Sequence, residues 1–270
     1  MMLGVLLGVV ALLLIVAWWA QERIAYQPPR SDEPVPSFAD RVAYTAEDGQ
    51  PLFALVIGPQ AASPARAGAR SLVVLAFHGN ADLAVWLAPW GAELARRTGA
   101  TVVIPEYRGY GGAPGRPTAE GLRRDARAAL ALMRSRSGPD VRVAYYGHSL
   151  GSAVATELAS ESPPVVLVLE SPFTSARDMA AAFGTPLLKW LWPVIGRISY
   201  DTEARVRQLD VPVWIAHGDR DFVVPTRFGR AVFAAVRRPG ELLIIPGAGH
   251  NDLAQSGGAA YWDWIERALR

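Results

Sequence analysis

Residues 145–151 read Tyr-Tyr-Gly-His-Ser-Leu-Gly, and the one serine in that run is set up to be a nucleophile. A short apolar run, Val141 to Tyr146, stops at Gly147; Ser149 follows, and a small-residue helical stretch begins at Leu150 and Gly151. Glycine on both sides is what a tight strand-to-helix reversal demands, because a side chain there would collide with the turn. The turn lifts the Ser149 hydroxyl out of the sheet, and the helix start behind it offers N–H groups to a developing negative charge. Gly147-His148-Ser149-Leu150-Gly151 is therefore a G-x-S-x-G nucleophile elbow.

An alcohol is a weak nucleophile at neutral pH, so Ser149 requires a base within hydrogen-bond reach and a third group to orient that base. The chain has four histidines, His78, His148, His217 and His250. His148 adjoins Ser149 in the elbow, with its side chain expected to point away from the attacking oxygen. His78 and His217 each precede a glycine at the end of an apolar run and read as loop-shaping residues. His250 remains, in Gly249-His250-Asn251 just after the run Leu242 to Ile245. For the acid, the loop His217-Gly218-Asp219-Arg220-Asp221 supplies two carboxylates, and Glu170 ends another apolar run, Val165 to Leu169. The sequence Ser149, Asp221, His250 reproduces the chain order of α/β-hydrolase triads, which favours Asp221. Asp219 reads as a turn former, and Glu170 is the alternative acid.

A tetrahedral oxyanion needs a second N–H besides that of Leu150. Leu72 to Phe77 is a buried strand, and His78-Gly79-Asn80-Ala81 follows it. Asn80 N–H is the chosen donor, with Ala81 one position on as the alternative. Candidate pocket residues are Trp86, Tyr110, Trp190 and Trp192. Trp86 and Trp90 are four apart and serve equally as a pocket wall or as helix core. Trp190 and Trp192 lie in Pro186 to Gly196, apolar on nearly every side. That stretch is either a short core helix or a small cap that lines an acyl pocket or rests against a membrane.

These motifs resemble the α/β-hydrolases, and within them the Bem46-like group of membrane-anchored serine hydrolases that takes in α/β-hydrolase-domain proteins 13 and 17. The resemblance runs from the N-terminal apolar stretch and Tyr26-Gln27-Pro28 through His78-Gly79-Asn80-Ala81. It continues with Tyr107-Arg108-Gly109-Tyr110-Gly111, Gly115-Arg116-Pro117 and the elbow. Glu170-Ser171-Pro172-Phe173-Thr174-Ser175, the Asp221 loop and Gly249-His250-Asn251 complete it. At Gly112-Ala113 the chain departs from relatives, which usually carry a serine after the Tyr-Gly pair. The resemblance implies a serine hydrolase fold and specifies the substrate far less.

Eight apolar runs must position these residues: Arg41–Thr45, Leu52–Ile57, Leu72–Phe77, Thr101–Pro105, Val141–Tyr146, Val165–Glu170, Val213–His217 and Leu242–Ile245. The first two read as a hairpin across Asp48-Gly49. The others alternate with helical patterns, as βαβ units around a mostly parallel twisted sheet do, with helices on both faces. Leu122, Ala126, Ala129, Leu130 and Met133 recur at helical spacing as one buried stripe, and Asp125 beside them reads as structural. The functional loops all follow strand C-termini, where open parallel sheets place their sites. Gly58 to Arg70 is rich in Ala, Gly and Pro and reads as a loop. The expected organisation is an anchor over residues 1–20, a Pro-rich tether over 21–40, and an α/β-hydrolase domain over 41–270 whose segment 171–210 is a small cap.

Composition narrows the function. The chain has 270 residues, 51% of them hydrophobic, enough for one large core. Its net charge is +2, its one lysine is Lys189, and no basic run or aromatic-basic stripe appears, so nucleic-acid binding has no support. With no cysteine, disulfides and thiolate chemistry are excluded. No ligand-spaced cluster calls for a metal and no phosphate-cradling glycine loop for a nucleotide, so no cofactor is expected.

Met1 to Ala20 carries no charged side chain, and twenty helical residues rise about 30 Å, a bilayer core. Trp18 and Trp19 close the run at the level of an aromatic belt. A cleaved signal peptide would need a basic start and a small-residue cleavage site, which this run lacks. The reading is a single-pass anchor; Arg23, Arg30 and Arg41 beyond it lean the rest of the chain towards the cytoplasm, with the extracytoplasmic side the alternative. The expected activity is hydrolysis of carboxylic esters or thioesters of acyl, lipid-like substrates through an acyl-enzyme. A peptidase or amidase on the same triad, and a non-catalytic scaffold on a hydrolase fold, are the rivals.

Overall fold

The computed structural model describes residues 2–58, 72–138 and 141–270, and side chains before Trp18 only at a few positions. The loop expected over Gly58 to Arg70 falls almost wholly outside these residues. Eight strands form one sheet: β1 (Ala39–Thr45), β2 (Pro51–Ile57), β3 (Leu72–Phe77), β4 (Thr101–Pro105), β5 (Arg142–His148), β6 (Leu167–Glu170), β7 (Val213–Gly218) and β8 (Pro239–Ile245). Their spatial order is β1-β2-β4-β3-β5-β6-β7-β8. β2 is antiparallel to both neighbours, and every other pair is parallel. The β1–β2 hairpin turns through Gly49, whose φ of 79° suits a residue without a Cβ.

Strands β3 to β7 are buried on both faces because helices cover both, so each reads as a nearly continuous apolar run rather than an alternating one, whereas the edge strand β8 is mostly half-buried or exposed. One core layer lies under α3 (Ala119–Ser137), α4 (Leu150–Glu161) and α8 (Thr226–Ala235); the other lies under α2 (Ala84–Thr98) and α9 (Leu253–Leu269). In α3 the predicted stripe, Leu122 to Met133, is buried, and Thr118 caps the helix by accepting from Gly121 N–H. Burial of a leucine such as Leu122 contributes about 1.5–3 kcal/mol, and truncating it to alanine would cost about 2–5 kcal/mol.

The chain visits β3, steps outward to β4, then returns to β5 on the other side of β3. That reversal is a topological switch point, where the crevice at the strand C-termini opens. Phe77, the last residue of β3, is in register with Gly147 of β5, so the loop after β3 and the elbow after β5 are neighbours by construction.

Between β6 and β7 the chain makes a helical excursion through α5 (Ala176–Phe183), α6 (Pro186–Ile195) and α7 (Thr202–Val206). Its neck is pinched by a bridge between Ser175 and Asp201 and by Ala176 N–H donating to Tyr200 O at 2.9 Å.

At the N-terminus, α1 runs Met2–Ala25, five residues beyond the expected anchor and into the expected tether. Gln21 to Ala25 are acceptable helix formers, and no proline stands before Pro28. Among the described residues no helix is long and apolar enough to cross a membrane. The expected span, Met1 to Ala20, consists mostly of residues whose side chains lie outside the description, and the structure gives it a helical backbone only.

Candidate active site

The elbow is built from steric necessity. Ser149 has φ 52° and ψ −115°, a conformation that costs a non-glycine residue on the order of 1–3 kcal/mol. A Cβ on Gly147 would lie 2.2 Å from Gly151 O, and one on Gly151 would lie 2.1 Å from Phe77 O. Both glycines are therefore required by close backbone approach. Ser149 N–H donates to Glu170 O at 2.9 Å, which pins the turn to β6. Leu150 heads α4, where the helix leaves its N–H without an internal acceptor.

Three predicted residues come together. His250 Nε2 lies 2.9 Å from Ser149 Oγ, and His250 Nδ1 lies 2.7 Å from Asp221 Oδ2. The other carboxylate oxygen, Asp221 Oδ1, accepts from Val223 N–H at 2.9 Å and Val224 N–H at 2.7 Å. His217 approaches Asp221 Oδ2 from behind at 3.2 Å. Its Nε2 also faces Val224 O at 2.8 Å, so that nitrogen carries a proton, while its Nδ1 is buried with no partner among the described residues. Burial pushes the Asp221 carboxyl up, yet hydrogen bonds from His217 and His250, the His250 charge and Val224 N–H hold it well below the ordinary carboxylate range.

The competing acids are engaged elsewhere. Glu170 Oε2 accepts from the Tyr146 hydroxyl and, at 2.9 Å, from the Tyr261 hydroxyl. Asp219 does not bond its own turn; its Oδ1 accepts from Gly247 N–H at 2.7 Å and so ties the Asp221 loop to the loop that carries His250.

The loop after β3 lies against the elbow: a Cβ on Gly79 would be 2.9 Å from His148 Nδ1 and 3.6 Å from Ser149 Cβ. His78 is fully buried beneath it. Its Nε2 faces Glu106 Oε1 at 2.9 Å and its Nδ1 faces Gly79 O at 2.9 Å. Both nitrogens meet acceptors, so the ring holds two protons. Burial pushes its pKa down, but the Glu106 charge and hydrogen bond lift it above the ordinary histidine value. Asn80 follows at the tip, and Ala81 after it has φ 53°.

Two contacts were not legible in the sequence. His148 does not simply point away: its Nε2 lies 2.9 Å from His250 O, and the two rings are 4.9 Å apart. Burial pushes its pKa down, an effect the His250 charge reinforces and Glu170 partly offsets. The Asn80 side chain bonds residues of the N-terminal segment. Neither pairing leaves a spacing signal, because the partners lie over fifty residues apart; only the position of His217, four residues before Asp221, was a readable hint.

The candidate pocket residues scatter. Tyr110 is buried, and its hydroxyl donates to Asn80 Oδ1 at 2.7 Å. Trp86 turns to Glu33, its Nε1–H donating at 3.1 Å. Trp90 is half-buried and packs against the core, stacked 4.1 Å from Tyr146 and bonded to the Tyr261 hydroxyl. Trp192 turns inward to Ile198 O, whereas Trp190 is 81% exposed. Among the described residues no cluster of His, Asp and Glu has the form of a metal site.

Comparison with known proteins agrees with this architecture. A family model described as serine aminopeptidase, S33, matches residues 68–204. An uncharacterised protein of Mycobacterium tuberculosis is 34% identical over 279 residues, covering 97% of this chain and 94% of that protein. Human alpha/beta hydrolase domain-containing protein 17B is 32% identical over 196 residues, 72% of this chain and 64% of that protein. Among solved structures, the Pyrococcus furiosus esterase Pf2001 shares the fold with a TM-score of 0.71 at 19% identity, over 90% of this chain and 98% of that one. With half its length inside the family model and a relative matched nearly end to end, the chain belongs to the α/β-hydrolase family.

Proposed function

We propose that this protein is a serine hydrolase that cleaves carboxylic esters or thioesters of acyl, lipid-like substrates. The observation that carries the reading is the unbroken hydrogen-bond chain from Asp221 through His250 to Ser149. Ser149 Oγ attacks the acyl carbonyl carbon as its proton passes to His250 Nε2. Asp221 keeps Nδ1 protonated and stabilises the imidazolium. The N–H groups of Leu150 and Asn80 receive the carbonyl oxygen as it becomes an oxyanion; each such donor is worth on the order of 10²–10³ in rate. Collapse expels the alcohol or thiol, which takes the proton from His250. Water, deprotonated by His250, then attacks the acyl-enzyme; the second tetrahedral species releases the acid and regenerates Ser149. No step calls on a cofactor.

The lipid-like preference is supported by the uncharged run Met1 to Ala20 and by α6, which displays Leu187, Trp190 and Val194 outward. On this reading residues 1–20 anchor the chain in a membrane, residues 41–270 form the hydrolase unit, and the excursion within 171–210 is its cap. A peptidase on the same triad is the second reading, favoured by the aminopeptidase description of the matched family model. A fluorophosphonate probe tests the serine chemistry, with Ser149→Ala as control; an unlabelled wild type would leave a scaffold. A panel of p-nitrophenyl esters, acyl thioesters, lysophospholipids and peptide amides separates the readings, and turnover confined to the amides would overturn the ester assignment.

A further inference from the structure

The loop after β3 carries a side chain for which the acyl-transfer steps have no use. Asn80 Nδ2 donates to Ala25 O at 2.6 Å. Asn80 Oδ1 accepts from Gln27 N–H at 3.1 Å and from the Tyr110 hydroxyl at 2.7 Å. The partners fix the amide's orientation, since its nitrogen must face the carbonyl and its oxygen the two donors. One amide thus joins the end of α1, the loop after β3 and the loop after β4.

The segment it grips is well seated. Tyr26, between the two bonded residues, is buried in the same core layer as Tyr107 and Tyr110, with its hydroxyl 3.3 Å from that of Tyr200. One turn upstream, Gln21 accepts from Arg197 N–H at 2.8 Å and donates to Ile195 O. Residues 21–27 therefore touch the loop beside Ser149 on one side and the helical excursion on the other. Next to Asn80, Ala81 holds a left-handed backbone that costs a non-glycine residue roughly 1–3 kcal/mol and persists only where neighbours over-determine it. The three bonds on Asn80 supply that constraint.

We propose that Asn80 is a positioning residue whose side chain makes the oxyanion hole depend on the seating of Ala25 and Gln27, so that α1 and the acyl-transfer site form one coupled unit. The inference rests on the serine-hydrolase reading above. Loss of the clamp lets the loop after β3 relax and carries the Asn80 N–H out of line with the developing oxyanion. That contact strengthens in the transition state, so its loss falls on kcat rather than KM.

The test uses the full chain in detergent with p-nitrophenyl butyrate. Gln27→Pro deletes the N–H that Asn80 accepts while leaving the loop untouched; Gln27→Ala keeps that N–H and is the control. Asn80→Ala is expected to lower kcat about ten- to hundredfold with KM within about twofold, as for a catalytic group misplaced by about an ångström. Gln27→Pro is expected to lower kcat by about three- to tenfold and Gln27→Ala to leave it unchanged, while the double variant is no slower than Asn80→Ala alone. An unchanged kcat in Gln27→Pro, a loss confined to KM, or full additivity overturns the clamp. Should Asn80→Ala fail to fold, the Gln27 pair decides. Fluorophosphonate labelling separates this inference from its parent. An unlabelled wild type sinks both, whereas equal labelling rates for wild type and Asn80→Ala sink the clamp alone.

Discussion

His148 and His250, 102 residues apart in the chain, are joined by a hydrogen bond from the His148 ring to the His250 backbone carbonyl at 2.9 Å. A carbonyl only accepts, so His148 carries its proton on Nε2. The residue beside Ser149 thereby holds the backbone of His250, the proposed base. His148 touches no reacting atom, and its effect runs through the Ser149–His250 distance. Replacing it by alanine is expected to lower kcat about tenfold with little change in KM, the scale of a base displaced by a fraction of an ångström. Glutamine, which keeps a donor of similar reach, should recover part of the loss. Steady-state kinetics on one ester for the three proteins decides the point, and an unchanged kcat in His148→Ala would show that the bond is dispensable.

Asp221 is separable from the two competing acids, Asp219 and Glu170, by substitution. Asp221→Asn presents an amide to His250 Nδ1 and favours the wrong tautomer, so kcat should fall on the order of 10³–10⁴. Asp219→Asn leaves an oxygen for Gly247 N–H, and Glu170→Gln leaves an acceptor for the tyrosine hydroxyls behind the sheet. Both are expected to retain activity within about tenfold, since neither touches the imidazole. A Glu170→Gln variant as inert as Asp221→Asn would transfer the role of the acid.

The elbow was legible because its glycines obey a local rule: Gly147 and Gly151 are forced by contacts within a few residues or with the adjoining strand. Strand positions were legible for a similar reason, since β3, β5 and β7 each form an apolar run closed by a glycine or histidine. β8 began at Pro239 rather than Leu242 because its first residues are exposed and carry no apolar signature. Side-chain partners were another matter. Trp86 and Trp90 have the same type and helical spacing, yet one meets Glu33 on the surface and the other Tyr261 in the core. Three-dimensional closure decides such pairings, and the Asn80 bonds to Ala25 and Gln27 belong to the same class.

The buried pairs predict a two-limbed pH dependence of stability. For His78 the folded pKa lies above its ordinary value near 6.5. Its contribution is therefore fully present below about pH 6.5 and is lost as pH rises through the folded value. For Asp221 the folded pKa lies below the ordinary value near 3.9, so its contribution is present above about pH 4 and is lost as pH falls through the folded value. Urea unfolding of Glu106→Gln should show a flatter alkaline limb than wild type with the acid limb retained. An alkaline limb as steep as that of the wild type would mean that His78 does not drive it.

The outer stripe of α6 offers the sharpest check on the substrate class. Leu187, Trp190, Leu191 and Val194 recur at helical spacing on its exposed side, with Val194 83% and Trp190 81% accessible. The helix end is joined to α1 through Gln21, and the Arg197 guanidinium sits 4.3 Å over the Trp18 ring. The stripe thus adjoins the tryptophans that close the uncharged run. Exposed apolar side chains contribute little to folding, so Trp190→Ser with Val194→Ser should change stability by less than about 0.5 kcal/mol. Turnover of a water-soluble butyrate ester should also be unchanged, because neither residue contacts the triad. If the proposed lipid-like substrate class holds and the stripe meets its acyl chains, hydrolysis of a long-chain ester presented in phospholipid vesicles should fall several-fold. Equal loss on both substrates would place the defect in the fold, and no loss on the vesicle ester would leave the stripe without a part in reaching lipid.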